Sequence, residues 1–130
     1  MTELKKIDLE LFKACYPKCK IHYAEWDDGH KYPEFIPSGK PLRTHAIDLR
    51  PVPQFTKDIG VCFAILIPEM NRRGWFVDDI HQELENGTIC GWNVDLYSVS
   101  SDCHCANGKD ESISVAISKA AYAALKGEKC

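Results

Sequence analysis

The stretch from Thr56 to Gly74 constrains the fold more than any other part of the chain. Thr56 is a candidate N-cap, because its hydroxyl can accept a backbone N–H of the first helical turn, and Gly74 can adopt the left-handed conformation that ends a helix. The stretch therefore predicts one helix over about residues 57–73. The apolar residues that recur at the spacing of one helical face are Ile59, Cys62, Phe63, Leu66, Ile67 and Met70.

Two features set this predicted helix apart. Val61, Ala64 and Ile65 make a second face apolar, so we expect the helix to be covered on both sides. A chain of this length has little material for that, and a subunit interface is one explanation, which favours a homo-oligomer. Pro68 lies inside the helix and clashes with the Ala64 carbonyl, so we expect a kink. A curved core helix without a functional role explains the kink as well.

Length and charge narrow the classes of protein. The chain has 130 residues, which suits a single domain over residues 1–130. Its 16 basic and 19 acidic side chains give a net charge of −3, which does not suit a general nucleic-acid binder. No stretch approaches the roughly 20 apolar residues that cross a bilayer. The N-terminus lacks the apolar core of a signal peptide, so we expect a cytoplasmic protein.

The remaining elements follow from local patterns. A helical stripe predicts a first helix over about residues 4–15. Residues 18–53 hold five of the seven prolines and form a predicted irregular arm. An extra hairpin that pairs residues 21–26 with 31–36 is the alternative. The arm is either a binding segment or a loop that packs its aromatic side chains over the sheet.

The second half of the chain changes from helical to strand periodicity. Asn86-Gly87 predicts a tight turn in a hairpin over about residues 75–97. Residues 98–111 are predicted to be a polar loop, and an alanine-rich helix over about residues 112–126 can approach its neighbour closely. This order predicts an α+β fold in which a small antiparallel sheet packs on three helices. The residues assigned to the core face of the return strand are Cys90, Trp92, Val94 and Leu96.

Several of these residues resemble a known family. The chain resembles the phage ABA sandwich domain in the order of its elements, which are an apolar helix, a hairpin with Trp92 and an alanine-rich helix. It also resembles that family in the residues at the start of the apolar helix, which are Pro53, Phe55, Thr56 and Asp58. The resemblance covers about residues 4–125. It implies a phage or prophage origin and an α-β-α sandwich, and it implies no established chemistry. The chain departs from the family at residues 103–111.

Cysteine and histidine offer one candidate metal site. Seven cysteines without a secretory signal indicate reduced thiols. Cys15, Cys19, Cys103 and Cys105 are a candidate zinc set, with His22 or His104 as substitute ligands. Neither spacing is Cys-x-x-Cys, so free thiols and no cofactor are the alternative. The phosphate-binding loop, the nucleophile elbow and the His-Glu-x-x-His motif are not found in the sequence.

Basic residues flank the central helix on both sides. Together with a nearby aromatic ring they predict a site for a small anionic, nucleotide-like ligand, through charge-assisted hydrogen bonds and stacking. Helix capping and solvated surface charge are the alternative interpretation. The candidate ligand-binding residues are Arg43, His45, Arg50, Arg72, Arg73 and Tyr97.

Three functions remain open from the sequence. The first is a phage-encoded binding protein that sequesters a nucleotide-derived signal of host antiviral defence in the bacterial cytosol, without catalysis. The second is an adaptor or inhibitor that binds a host protein through the proline-rich arm and exposed aromatic side chains. The third is a small metal-dependent enzyme that uses Asp78, Asp79 and Glu83. The alternative interpretation of these carboxylates is solvated charges that protect a sheet edge from pairing.

Overall fold

The structure is a computed structural model, and it describes residues 3–17, 20–25, 31–36, 50–51, 53–99 and 105–127. In three of its strands, β1 to β3, only the backbone is described. The elements in chain order are α1 (Glu3–Cys15), β1 (Lys20–Glu25), β2 (Lys31–Ile36), β3 (Arg50–Pro51), α2 (Ile59–Val61), a π-helical segment (Cys62–Leu66), α3 (Ile67–Arg72), β4 (Trp75–Glu85), β5 (Thr88–Ser98), β6 (Cys105–Asp110) and α4 (Ile113–Lys126).

The fold is α+β, as predicted, with an antiparallel sheet in the order β4-β5-β6. The predicted hairpin is present, and its turn uses positive φ angles at Asn86 (53°) and Gly87 (80°). A second antiparallel sheet, in the order β1-β2-β3, pairs Lys20 with Ile36 at one end of its first hairpin and Glu25 with Lys31 at the other.

Strand β6 corrects the prediction of a loop over residues 98–111. It pairs with β5 from Tyr97↔Cys105 to Trp92↔Asp110. Its sequence contains Asn-Gly, which is typical of turns, so local pattern gives no strand signal. Gly108 explains the exception, because a Cβ there would overlap the Ala116 carbonyl oxygen and lie 2.5 Å from the Ala120 nitrogen. Helix α4 therefore runs directly over β6, as the close approach of an alanine face requires.

One hydrophobic core joins the helices to the sheet. The three predicted helices are present, and their apolar side chains meet the same face of β4–β6. Within the described ranges no helix covers the other face of this sheet. None of the described helices combines the length and apolar character needed to cross a bilayer. The core residues of the sheet include Trp75, Val94, Leu96 and Ala106, and those of α4 include Ala116, Ile117, Ala120 and Ala124.

The central helix contains a π-helical segment just before Pro68. Proline cannot donate a backbone hydrogen bond, so the Ala64 carbonyl loses its usual α-helical donor. The backbone accommodates this loss by widening, and the Ile67 N–H bonds the Cys62 carbonyl five residues back. The N-cap is Asp58, whose carboxylate accepts the Val61 N–H at 3.2 Å, and not Thr56 as predicted. Gly74 ends the helix at φ 89°, as predicted.

The π-helical segment narrows the buried face of the helix. Cys62, Leu66 and Met70, spaced by four residues, are buried. Ile59 and Phe63 were predicted on the same face, yet they are 41 % and 49 % exposed. The wider turn changes the rotation between successive residues, which aligns the spacing of four and turns Phe63 outward. The second face is not fully covered either, because Ala64 is exposed and Val61 and Ile65 are half-buried.

Candidate ligand-binding cleft

A buried polar junction fixes α1 against the rest of the core. The Asp8 carboxylate accepts the Thr56 N–H on Oδ1 and the Thr56 hydroxyl on Oδ2, both at 2.8 Å. The Ser114 hydroxyl donates to the Thr56 carbonyl oxygen at 2.8 Å. Three segments far apart in sequence are thereby tied together. Asp8 lies inside α1 and serves this junction.

The Asp8 carboxyl in this junction is harder to ionise than an exposed carboxyl. Burial raises the pKa of the Asp8 carboxyl, because a charged group loses its hydration there. The two hydrogen bonds from Thr56 and the nearby Lys57 ammonium lower the same pKa and offset part of the effect. The carboxyl is therefore a positioning group in the core, where it sets how α1 lies beside α4.

The C-terminal halves of α1 and α4 leave a cleft of about 350 Å³ between them. Three of its side chains are cationic and one is a carboxylate, so the lining carries a charge of +2 in a chain whose net charge is −3. Its volume lies at the lower end of the range of about 300–1,000 Å³ for small-molecule sites. The lining residues are Glu10, Lys13, Ala14, Arg73, Tyr122, Leu125 and Lys126.

Two of the cations in the cleft, Lys13 and Arg73, contact other groups of the protein. Lys13 Nζ lies 3.7 Å from Glu10 Oε1, and both side chains are about half exposed. Arg73 donates from Nη2 to the Ala14 carbonyl oxygen at 3.1 Å, and its Nε lies 3.5 Å from a Glu69 carboxylate oxygen. The Arg73 side chain is 32 % exposed. The site therefore presents cations that are anchored at one end and reach solvent at the other.

Tyr122 supplies the aromatic surface of the cleft. Lys126 Nζ lies 4.4 Å from the centroid of the Tyr122 ring, as expected for residues four apart on one helix. Leu125 adds apolar lining beside the ring. A ligand with a planar ring could stack in place of the Lys126 ammonium, which would then be free to contact an anionic group.

The same cations also suit the ends of the helices on which they lie. Lys13, Arg72 and Lys126 occupy the last turns of α1, α3 and α4, where positive charge interacts favourably with the helix dipole. Helix capping was the alternative interpretation of the basic residues, and Arg73 bonding to Ala14 fits it. Capping and ligand binding are compatible, because a dipole contact leaves most of a lysine ammonium accessible.

The structure distributes the predicted ligand-binding residues over several places. Arg73 lines the cleft, while Arg72 bonds Glu69 with both Nε and Nη2 on the surface of α3. Tyr97 lies on β5 beside Phe76, with ring centroids 6.1 Å apart, on the sheet face opposite the helices. Arg43 and His45 lie outside the described residues. Arg50 contributes its backbone to β3, and its side chain is not described.

Sequence reasoning missed Lys13, Tyr122 and Lys126. The signal that was available is positional, since Lys13 and Lys126 are the basic residues of two predicted last turns. The Tyr122–Lys126 pair also has the spacing of helix neighbours. What the sequence could not show is that the two helices lie side by side, with both C-terminal halves at the same cleft.

The described part of the candidate zinc set does not form one site. Cys15 lies at the end of α1, and burial together with the Glu69 carboxylate raises the pKa of its thiol to about 11. Cys105 is exposed on the sheet face opposite the helices. Among the described residues no three His, Cys, Asp or Glu side chains are placed to hold a metal ion. Cys19 and Cys103 lie outside the described residues.

The other cysteines divide between core and surface. Cys62 is buried, as predicted, and burial raises the pKa of its thiol to about 11. Cys90 was also predicted to face the core, and this was wrong, because it is exposed. A β-bulge explains the error: Glu83 pairs with Gly91 and Leu84 with Ile89, so Cys90 has no partner and leaves the alternation.

The acidic residues of β4 surround a histidine. His81 bonds Asp79 through Nδ1, and its Nε2 lies 3.2 Å from a Glu83 carboxylate oxygen. The hydrogen bond that His81 donates to the Asp79 carboxylate is the largest influence raising the pKa of His81. Among the strands that the structure describes, β4 is at the edge of its sheet, with a bulge at Asp78. Charges and a bulge on an edge are typical of protection against pairing, so this group fits that role better than catalysis.

A polar cluster lies next to His81 on the same sheet face. Asn107 Nδ2 donates to Asn93 Oδ1 at 2.7 Å and to Asp95 Oδ1 at 2.6 Å, and Asn93 Nδ2 donates to Asp95 Oδ2 at 3.0 Å. The side-chain groups of these residues bond one another across two strands. The cluster is thus a cross-strand contact that stabilises the sheet.

No protein-family model, curated protein or solved structure matches this chain. The resemblance to the phage ABA sandwich domain therefore stays an expectation based on its own residues.

Proposed function

We propose that the protein is a small binding protein that holds an anionic, nucleotide-like ligand in the cleft between α1 and α4 and releases it unchanged. The observation that carries the proposal is the meeting of three cations with one aromatic ring in one cleft. Lys13 and Arg73 would contact the phosphate group, and the Tyr122 ring would stack on a base.

The physical argument rests on complementarity of charge and shape. Hydrogen bonds from a cation to a phosphate oxygen are roughly twice as strong as neutral ones. The cleft is positive while the chain as a whole is negative, so an anion is drawn to this place rather than to the surface in general. The neighbouring Leu125 favours a ligand with an apolar or aromatic part over a bare inorganic anion.

The lining supports binding without chemistry. Its single carboxylate, on Glu10, lies beside Lys13. Among the lining residues of the described cleft no serine, threonine, cysteine or histidine is present to act as a nucleophile or as a base. A ligand held there would meet groups that bind phosphate and a ring, and none that activates water.

The resemblance to the phage ABA sandwich domain suggests the biological setting. In a phage-infected bacterium, a nucleotide-derived immune signal is a ligand of the required chemistry, and the protein would sequester it in the host cytosol as an anti-defence protein. Arg43, His45 and Arg50 stay candidates for additional ligand contacts in this proposal.

The test is calorimetric titration with adenosine monophosphate and with a cyclic dinucleotide. Lys13→Met and Lys126→Met keep the aliphatic stems and remove the charges, and each should weaken binding about tenfold, as expected for a lost charge-assisted bond. Lys6→Met is the matched control, since Lys6 is exposed on α1 and does not line the cleft.

The fate of the ligand separates binding from catalysis. After heat denaturation of the complex, mass spectrometry should return the ligand with its mass unchanged. Recovery of a cleaved product would identify an enzyme. Titrations that show no heat with either probe, or equal losses in Lys6→Met and Lys126→Met, would exclude this cleft as the site.

A second candidate function, a protein–protein adaptor, is favoured by one observation. The end of the β4–β5 hairpin, residues 83–90, carries the exposed apolar side chains Leu84 and Ile89, which are 66 % and 56 % exposed. We call these residues the hairpin tip. An exposed apolar pair of this kind is typical of a contact surface.

A further inference from the structure

The hairpin tip extends beyond the rest of its sheet. The pairing of β5 with β6 ends at Trp92↔Asp110, whereas β4 and β5 continue to Glu85↔Thr88. Leu84 and Ile89 are direct cross-strand partners in this extension, so their side chains lie together on one side of the ribbon. Leu84 is the most exposed large apolar side chain of the described residues.

The charges of the tip are opposite to those of the cleft. Glu83 and Glu85 flank Leu84, and the described tip contains no basic side chain. The cleft carries three cations and one carboxylate around Tyr122 and Leu125. Because side chains alternate along a strand, Glu83 and Glu85 lie on the side of the ribbon opposite Leu84 and Ile89. The tip thus has an apolar side and an acidic side, which are complementary in polarity to the Tyr122–Leu125 surface and in charge to the cations of the cleft.

We propose that the hairpin tip of one molecule inserts into the α1–α4 cleft of a second copy of this chain. Leu84 and Ile89 would pack on Tyr122 and Leu125, and Glu85 would meet Lys126 or Lys13. The second copy thereby supplies residues that complete the lining of the cleft.

The contact is heterologous, because tip and cleft are different surfaces of the same molecule. A pair of molecules joined in this way keeps one free tip and one free cleft, so the contact builds a ring or an open chain and not a two-fold dimer. A contact limited to a hairpin tip is smaller than the roughly 1,200–2,000 Å² of a stable interface, so association should be weak and concentration-dependent.

This inference does not need the ligand of the proposed function, although both use the same cleft. If both hold, the ligand and the tip compete, and the anion dissociates the assembly. If the ligand proposal fails, the self-association remains and is tested separately.

The first experiment measures mass against concentration by sedimentation velocity at low salt. The wild-type protein should shift from monomer to larger species as its concentration rises, and high salt should reverse the shift. Leu84→Ser/Ile89→Ser and Lys126→Glu should each stay monomeric. Glu3→Lys is the control, because Glu3 is exposed on α1 outside both surfaces, and it should associate like the wild type.

The second experiment mixes two defective variants. Leu84→Ser/Ile89→Ser keeps its cleft and Lys126→Glu keeps its tip, so an equimolar mixture should form a heterodimer and nothing larger. The charge exchange Glu85→Lys/Lys126→Glu should restore association within one chain. Thermal unfolding by circular dichroism checks that each variant is folded, as expected for changes to exposed side chains.

Three results would overturn the inference. A wild-type protein that stays monomeric up to near-millimolar concentration has no such contact. A mixture that contains only monomers shows that tip and cleft do not meet. If Phe63→Ser dissociates the assembly and Leu84→Ser/Ile89→Ser does not, the interface is the exposed side of the central helix instead.

Discussion

The two ends of the α1–α4 pair differ in how they use polar groups. At one end, Asp8, Thr56 and Ser114 bond one another in the core, and the hydrogen bonds are at 2.8 Å. At the other end, Lys13 and Lys126 face an open cleft. Buried polar groups need partners within the protein, whereas exposed charges can meet a ligand. The closed end therefore supplies stability, and the open end is where we propose that a ligand is recognised, along the same pair of helices.

Substitution of Gly108 should have the largest effect, because it removes the support that both ends share. In Gly108→Val the side chain would overlap the backbone of α4 at Ala116 and force α4 away from β6. We expect a loss of about 3 kcal/mol or more of unfolding free energy, or failure to fold. Urea unfolding measures it. In the control, Gly60→Ala, the new Cβ meets only the Asp58 side chain at 3.2 Å, and stability should change by less than about 1 kcal/mol.

Removal of Asp8 should affect the closed end alone. Asp8→Ala leaves the Thr56 N–H and hydroxyl without their described acceptor in the core, which costs about 1–3 kcal/mol of unfolding free energy. Asp8→Asn keeps an acceptor for the N–H and should cost less. Urea unfolding of Glu10→Ala gives the comparison at the open end, where we expect a change within about 0.5 kcal/mol. Equal losses at both ends would contradict the distinction between them.

The pH dependence of stability should show two carboxyls with opposite signs. The folded-state pKa of Asp8 is raised, so its contribution is present in full below the unfolded-state pKa of about 3.9 and is lost as pH rises through the folded-state pKa. The pKa of Asp110 is lowered, mainly by the Ser112 N–H and also by Lys119, so its contribution is present above that unfolded-state pKa and is lost as pH falls. Urea unfolding of Asp8→Asn and Asp110→Asn from pH 3 to 7 measures both; differences of equal sign would refute the assignment.

The smallest effect should come from Glu10 at the open end. Glu10→Gln removes the carboxylate found among the described residues of the cleft lining and frees Lys13 from its partner at 3.7 Å. Because both side chains are well exposed, the affinity for adenosine monophosphate should rise by no more than about fivefold. Titration calorimetry measures it, with Glu3→Gln as the control. A weaker affinity would mean that Glu10 contacts the ligand directly.

Elements defined by local pattern were predictable from the sequence. The spacing of apolar residues over a few turns predicts α1, the central helix and α4, and Asn86-Gly87 predicts the hairpin turn. Strand β6 was not predictable, because its stability depends on Gly108 lying under a helix that follows in the chain. Strand propensity is assigned from the residue alone, and it takes no account of the helix that excludes any side chain at this position.

The candidate site was predictable only in part. Arg73 was named because it ends a helix, and the structure places it in the cleft. The other cleft residues depend on which helices become neighbours, and that follows from long-range contacts such as Thr56 with Asp8, 48 residues apart. Thr56 shows the same limit, since a threonine before a helix predicts a cap unless a distant carboxylate binds it first.

The π-helical segment also fixes how many residues the central helix can contain. Each residue added to or removed from an α-helix rotates everything beyond it by about 100°. The wide turn at Cys62–Leu66 sets the rotation that brings Met70 to the core face, and Trp75 follows at the start of β4. Gain of one further residue there would rotate Met70 by about 100° and turn it toward water. Homologous chains are therefore expected to tolerate changed side chains in this segment more readily than a changed length.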